Sequence, residues 1–114
     1  MPISNEKLLQ QIVKKYDLIP YNERTLNVYK PKPTGLIDFN GAIIKLDYNG
    51  FYLCELNPTY EPVYKCVTAH DYVFTSRRDL HKNIKQILKV YKKCNLIAKQ
   101  LQLQSKLKQI DKDF

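Results

Sequence analysis

Leu36-Ile37-Asp38-Phe39-Asn40-Gly41-Ala42-Ile43-Ile44-Lys45-Leu46-Asp47-Tyr48-Asn49-Gly50-Phe51-Tyr52-Leu53-Cys54-Glu55-Leu56 decides the fold class. Two Asn-Gly dipeptides interrupt an alternation of apolar and polar residues. Asn-Gly tolerates the positive φ angles of a type I′ turn, which suits a two-residue β-hairpin. The stretch therefore predicts a three-stranded antiparallel meander over about Leu36–Phe39, Ala42–Tyr48 and Phe51–Leu56. With two-residue turns at both dipeptides, Phe39 pairs with Ala42, Ile37 with Ile44, Tyr48 with Phe51 and Leu46 with Leu53. Cross-strand partners share a face. One face then collects Ile37, Phe39, Ala42, Ile44, Leu46, Tyr48, Phe51 and Leu53. The other collects Asp38, Lys45, Asp47, Tyr52 and Cys54, with Leu36 and Ile43.

Working outward, Asn57–Pro62 reads as a loop and Val63–Ala69 as a further strand. Tyr72–Thr75 either continues that strand through a bulge or returns from a turn at His70-Asp71. Towards the N-terminus, Thr25–Tyr29 suits a short strand inside an irregular connector over 17–35. Lys30-Pro31-Lys32-Pro33 favours extended, polyproline-like chain that an SH3-like partner could contact. A first helix is predicted over residues 5–16. Ser4 is its N-cap, Ile3 and Leu8 form a hydrophobic staple, and Leu8, Leu9, Ile12, Val13 and Tyr16 give it one apolar face.

All six Pro precede position 63 and all three Gly lie between 35 and 50, so the last part of the chain has neither. Ser76-Arg77-Arg78-Asp79 matches a capping box, with Ser76 as N-cap. After it, Leu80, Ile84, Ile87, Tyr91, Cys94, Ala98 and Leu101 repeat at intervals of 4 and 3, a heptad-like seam. Beyond Leu101 the seam falls on Ser105 and Lys108, and apolar residues resume on a shifted stripe at Leu103, Leu107 and Ile110. An unbroken helix over 77–110 would be about 50 Å long, longer than a domain of this size is wide. It is expected either to break near 94–105 or to project and pack on a partner. The fold class is thus α+β: an antiparallel sheet of three to five strands, packed by an N-terminal helix and a long basic C-terminal helix, in a single domain. The element order is similar to that of double-stranded-RNA-binding domains. The chain lacks their motif residues, adds a strand and lengthens the last helix, and it is not assigned to them.

Charge is distributed unevenly. The chain has 19 Lys and Arg against 11 Asp and Glu, a net charge of +8. Residues 77–108 hold ten of the basic residues and one acid, Asp79, leaving nine basic and ten acidic residues elsewhere. Arg78, Lys82, Lys85, Lys89, Lys92, Lys99 and Lys106 follow helical spacing roughly opposite the apolar seam. A merely solvated face mixes Glu with Lys to gain i,i+4 pairs. Here Arg78 with Lys82, Lys85 with Lys89, and Lys89 with Lys93 are like-charge neighbours, each costing a few tenths of a kcal/mol. A polyanion offsets that cost. The candidate interface is Arg77, Arg78, Lys82, Lys85, Lys89, Lys92 and Lys93, contacting phosphates of DNA or RNA. Tyr52 and Tyr64 are candidates for stacking on unpaired bases. The alternative is a structural or interaction module that assembles through the C-terminal helix with itself or an acidic protein. His81, in the first turns of that helix, suits a solvent-facing or phosphate-contacting role.

Other chemistries find little support. Cys54, Cys66 and His70 are spaced C-x11-C-x3-H, with no C-x-x-C pair and no fourth ligand, so no metal site and no cofactor are expected. Nothing pairs a cysteine with a histidine for nucleophilic catalysis, the carboxylates are scattered, and the glycines are explained by turns. No enzyme is expected. Three cysteines without a secretory signal after Met1-Pro2-Ile3-Ser4 suggest reduced thiols and a cytoplasmic setting. The Lys, Asn, Ile and Tyr bias resembles the coding of AT-rich genomes such as those of low-GC bacteria, phages and viruses, in which case the setting is a host cytoplasm. No apolar run is long enough for a membrane span.

Overall fold

Ser4 adopts extended backbone, and its hydroxyl accepts a hydrogen bond from the Lys7 N–H at 3.2 Å. In this computed structural model, which describes the backbone of residues 3–113 and the side chains of residues 3–108, that N-cap opens helix α1, Asn5–Lys15. Leu9 and Ile12 are fully buried, with Leu8, Val13 and Tyr16 packed around them. Asp17 takes a φ of 55°, the left-handed conformation that commonly ends a helix, and turns the chain into strand β1, Leu18–Pro20. Strand β2, Val28–Pro31, returns antiparallel to it. The strand expected at Thr25 begins later. Asn22 Oδ1 accepts from the backbone N–H groups of Arg24 and Thr25, which holds that segment in a turn, and Asn27 has a φ of 60°. Pro31 is buried within β2, so the Lys-Pro tract is not displayed as a free polyproline segment.

The second Asn-Gly forms a hairpin and the first does not. Strands β4, Ile44–Asp47, and β5, Gly50–Cys54, pair Leu46 with Phe51 and Ile44 with Leu53 (β3 is described below). The turn is Tyr48-Asn49, one residue earlier than expected. Asp47 Oδ1 fixes it by accepting from the N–H groups of Asn49 at 2.8 Å and Gly50 at 3.2 Å. Tyr48 is consequently 97% exposed, not a core residue. Partners shift by two residues, so face parity survives, and Ile44, Leu46, Phe51 and Leu53 share the buried face.

At Asn40-Gly41 the chain changes sheet. Strand β3, Asp38–Asn40, runs parallel to strand β7, Cys66–Thr68, which pairs antiparallel with strand β6, Thr59–Glu61. The pairs Phe39–Ala42 and Ile37–Ile44 do not form, because β2 occupies the edge of β4 that they required. Ala42 instead donates its N–H to the Tyr72 hydroxyl at 2.9 Å. Gly41 bends with a φ of 106°, and a Cβ there would lie 3.1 Å from that hydroxyl and 3.3 Å from the Ala69 Cβ.

The segment expected as a loop thus contains β6. Val63–Lys65, expected in a strand, forms the β6–β7 turn, with Lys65 at a φ of 52°. Strand β8, Tyr72–Thr75, neither extends β7 nor returns beside it. It crosses to the first sheet and pairs antiparallel with β5. Glu55 holds the crossing: its carboxylate accepts from the N–H of His70 at 2.9 Å and of Asp71 at 3.0 Å. The result is a five-stranded antiparallel sheet, β1-β2-β4-β5-β8, beside a three-stranded sheet, β3-β7-β6.

A single 3-10 turn, Arg77–Asp79, leads into helix α2, Leu80–Asp113. Ser76 precedes the turn as expected, but its hydroxyl donates to Asp79 Oδ2 at 3.0 Å and does not cap a backbone N–H. Helix α2 does not break near 94–105. Leu80, Ile84 and Ile87 are fully buried, Tyr91 and Cys94 nearly so, and Ala98 partly. From Leu101 to Lys108 every residue is exposed, so the helix overhangs the body, and the molecule measures 68 × 28 × 23 Å. Both helices contribute to one core with Ile44, Leu46, Phe51 and Leu53 of the larger sheet and Phe39 and Val67 of the smaller.

Candidate nucleic-acid interface

The buried seam fixes the rotation of α2. With Leu80, Ile84, Ile87, Tyr91 and Cys94 inward, a helix turning about 100° per residue puts Arg78, Lys82, Lys85, Lys89 and Lys92 on its outward side. All five are exposed, as are Arg77 and Lys93. From Arg78 to Lys93 the row spans about 22 Å. Arg77 leans to one end of it, donating from a guanidinium nitrogen to Asn5 Oδ1 at 3.2 Å.

Between residues 80 and 110, α2 has no acidic residue to pair with the row. Asp79 is occupied by Ser76, and no Asp or Glu follows before Asp111. Among the described residues the ion pairs are Lys30 with Asp38 at 3.1 Å and Lys32 with Asp17 at 2.8 Å, neither of which involves α2. The first turns of α2 therefore present these basic side chains to solvent without an ion-pair partner among the described residues.

His81 does not belong to this surface. Its ring is half-buried between the helices, with Nδ1 hydrogen-bonded to the Tyr16 hydroxyl at 2.9 Å. Burial, then the Lys15 and Lys85 ammonium groups, holds its pKa below the ordinary 6.5, which favours the neutral imidazole. The expected solvent-facing or phosphate-contacting histidine is thus a helix–helix contact.

The two candidate stacking tyrosines are not brought to the basic row. Tyr52 lies on the face of the five-stranded sheet turned away from the helices, half-buried and edge-to-face with Phe74 at 5.6 Å. Tyr64 is 77% exposed in the β6–β7 turn. The outer sheet face also carries Lys45, whose Nζ lies 3.8 Å from the Tyr72 ring centroid. The grouping of Lys45, Tyr52, Tyr72 and Phe74 depends on β8 pairing with β5, for which the sequence has no local marker.

All three thiols are buried. Cys54 and Cys66 belong to different sheets, so the C-x11-C-x3-H set is not assembled. Burial, and then the Glu55 charge, pushes the Cys54 thiol up to about 12. Burial raises Cys94 against the opposing pull of Lys93. Cys66 donates to Glu61 Oε2 at 3.6 Å. Among the described residues no group of three His, Cys, Asp or Glu side chains is placed to hold a metal ion, and no helix is long and apolar enough to cross a membrane.

No family model matches this chain, and no curated protein or solved structure matches it.

Proposed function

We propose that the protein is a non-enzymatic, nucleic-acid-binding accessory protein that docks the outward face of α2 on phosphates. One observation carries the proposal: Arg78, Lys82, Lys85, Lys89, Lys92 and Lys93 form an exposed row with no acidic partner among the described residues. Cations that pair internally gain little from a ligand, whereas unpaired ones gain by displacing the counterions condensed on a nucleic acid. Tyr52 and Tyr64 lie elsewhere, and the row has no Asn or Gln aligned with it for base edges except Gln86. The contacts proposed are therefore to phosphates, with low sequence preference. The three buried thiols suit a reducing compartment, and we assign the protein to the cytoplasm, that of a host cell if a phage or virus encodes it.

Gel retardation of mixed-sequence DNA and RNA tests this. Native protein should retard both at low salt and lose them as salt rises. The Lys82→Glu, Lys85→Glu, Lys89→Glu triple variant should retard neither while keeping its thermal unfolding transition. Absence of retardation by the native protein at low salt overturns the proposal.

A further inference from the structure

The outward line of α2 changes character along its length. Leu96, Leu103 and Leu107 are 52%, 60% and 61% exposed, and they lie about 180–220° around the helix from the buried Cys94. That is the side that Arg78, Lys85 and Lys89 occupy further up. One outward stripe is thus basic as far as Lys93 and carries exposed leucines from Leu96 onward, with Lys99 and Lys106 on its flank. The inward line of the same overhang, at Ala98 and Leu101, instead borders a cleft of about 570 Å³ against Leu36, Tyr60 and Pro62.

The spacing of the apolar stripe is that of a coiled-coil core. Leu96, Gln100, Leu103, Leu107 and Ile110 are separated by 4, 3, 4 and 3 residues, with Ile110 placed by sequence position alone. Continued upstream, the register falls on Lys93, Lys89, Gln86 and Lys82. This decides the orientation in which a second copy fits. A parallel partner would bring Lys82, Lys89 and Lys93 onto their own counterparts at core positions, where like charges repel and lose water. An antiparallel partner engages the overhang alone. Centred between Leu103 and Leu107, it sets Leu103 against Leu107 of the second copy. It also carries the basic rows away from each other.

We propose that the overhanging end of α2 pairs with the same segment of a second copy, antiparallel, to form a two-helix dimer. The dimer rests on the apolar stripe and not on the nucleic-acid reading, and it is to be tested on nuclease-treated full-length protein.

Light scattering across a concentration series should give a dimer that persists in high salt. Leu103→Glu with Leu107→Glu should be monomeric at every concentration, while circular dichroism shows that the body still unfolds cooperatively. Gln100→Leu, which replaces the one polar residue of the stripe, should lower the dissociation constant severalfold. Nitroxides on Gln86→Cys, an exposed position in a chain whose own cysteines are buried, report orientation. The antiparallel arrangement puts the two labels about 60 Å apart and a parallel one about 10–20 Å. A native protein that stays monomeric, a dimer that survives the double substitution, or the short separation each overturns the proposal.

Discussion

The rings of Phe39 and Tyr91 meet edge to face, with centroids 5.5 Å apart and planes at 85°. This contact joins the smaller sheet to α2, and the Tyr91 hydroxyl completes the joint by reaching the carbonyls of Lys32 and Ile37 at 3.1 and 3.3 Å. A hydroxyl bonded in this way stays protonated, and burial pushes the Tyr91 pKa up to about 12. Tyr91→Phe keeps the ring contact and removes the donor to the part-buried Lys32 carbonyl, while the Ile37 carbonyl still accepts from the Thr34 N–H at 3.0 Å and the Thr34 hydroxyl at 3.1 Å. The expected loss is about 1–2 kcal/mol in urea unfolding at unchanged m-value. Tyr91→Ala, which also removes the ring, should cost about 3–5 kcal/mol. Equal costs for the two substitutions would show that the hydroxyl alone matters.

The burial of His81 beside Tyr16, with the Lys15 and Lys85 charges, makes stability depend on pH with a definite sign. The folded-state pKa of His81 lies below the unfolded value of 6.5, so the unfolded chain binds a proton first as pH falls. Stability is therefore full above that value. It declines as pH drops through it, and it levels off below the folded pKa. In urea unfolding between about pH 7 and pH 5, His81→Gln should show a flatter decline than the native protein. An identical decline in both proteins would place the proton elsewhere.

The β4–β5 turn separates two readings of Asn49-Gly50. In a type I′ turn at that dipeptide, Asn49 would hold a positive φ, and replacing it with Ala would be costly. Here Tyr48 and Asn49 are absent from the positive-φ residues of the described chain, and Asp47 organises the turn. Asp47→Ala should therefore cost about 1 kcal/mol, and Asn49→Ala less than about half of that. Gly50→Ala should cost about 1–3 kcal/mol, because its φ is 134° and a Cβ would lie 2.9 Å from the Phe74 ring. Thermal unfolding of the three variants ranks them, and an Asn49 variant weaker than the Asp47 one would contradict this turn.

The two lines of α2 should respond differently to truncation. Ile87 is fully buried, and Ile87→Ala should cost about 2–5 kcal/mol through lost burial and the cavity left behind. Leu103 is exposed on the outward stripe, and Leu103→Ala should change the unfolding free energy of the monomer by less than about 0.5 kcal/mol. Chemical denaturation at low protein concentration checks both.

The parts of the fold that were legible in the sequence are those set by neighbours. Ser4 caps α1 because its hydroxyl need reach only Lys7. The seam from Leu80 to Cys94 is buried because helical periodicity does not depend on what it packs against. The outward position of the basic row follows from the same helical geometry. What escaped was pairing across distance. Asn40-Gly41 is a strong local hairpin signal, yet β2 claims the edge of β4 and sends β3 to a parallel partner 28 residues away. Nothing near Asp38 marks Cys66 as its neighbour. The association of Tyr52 with Phe74, and the loss of His81 to Tyr16, are likewise products of tertiary packing.

The salt dependence of binding tests most directly the proposal that α2 neutralises phosphates. If about five cations of the row contact duplex DNA, log K should fall against log salt with a slope of about −4 to −5, roughly a 500-fold loss between 50 and 200 mM. Lys89→Gln should make the slope about 0.9 shallower, and the triple Lys82, Lys85, Lys89 reversal should abolish measurable binding. A slope near zero, or one that the triple reversal leaves unchanged, would contradict the account.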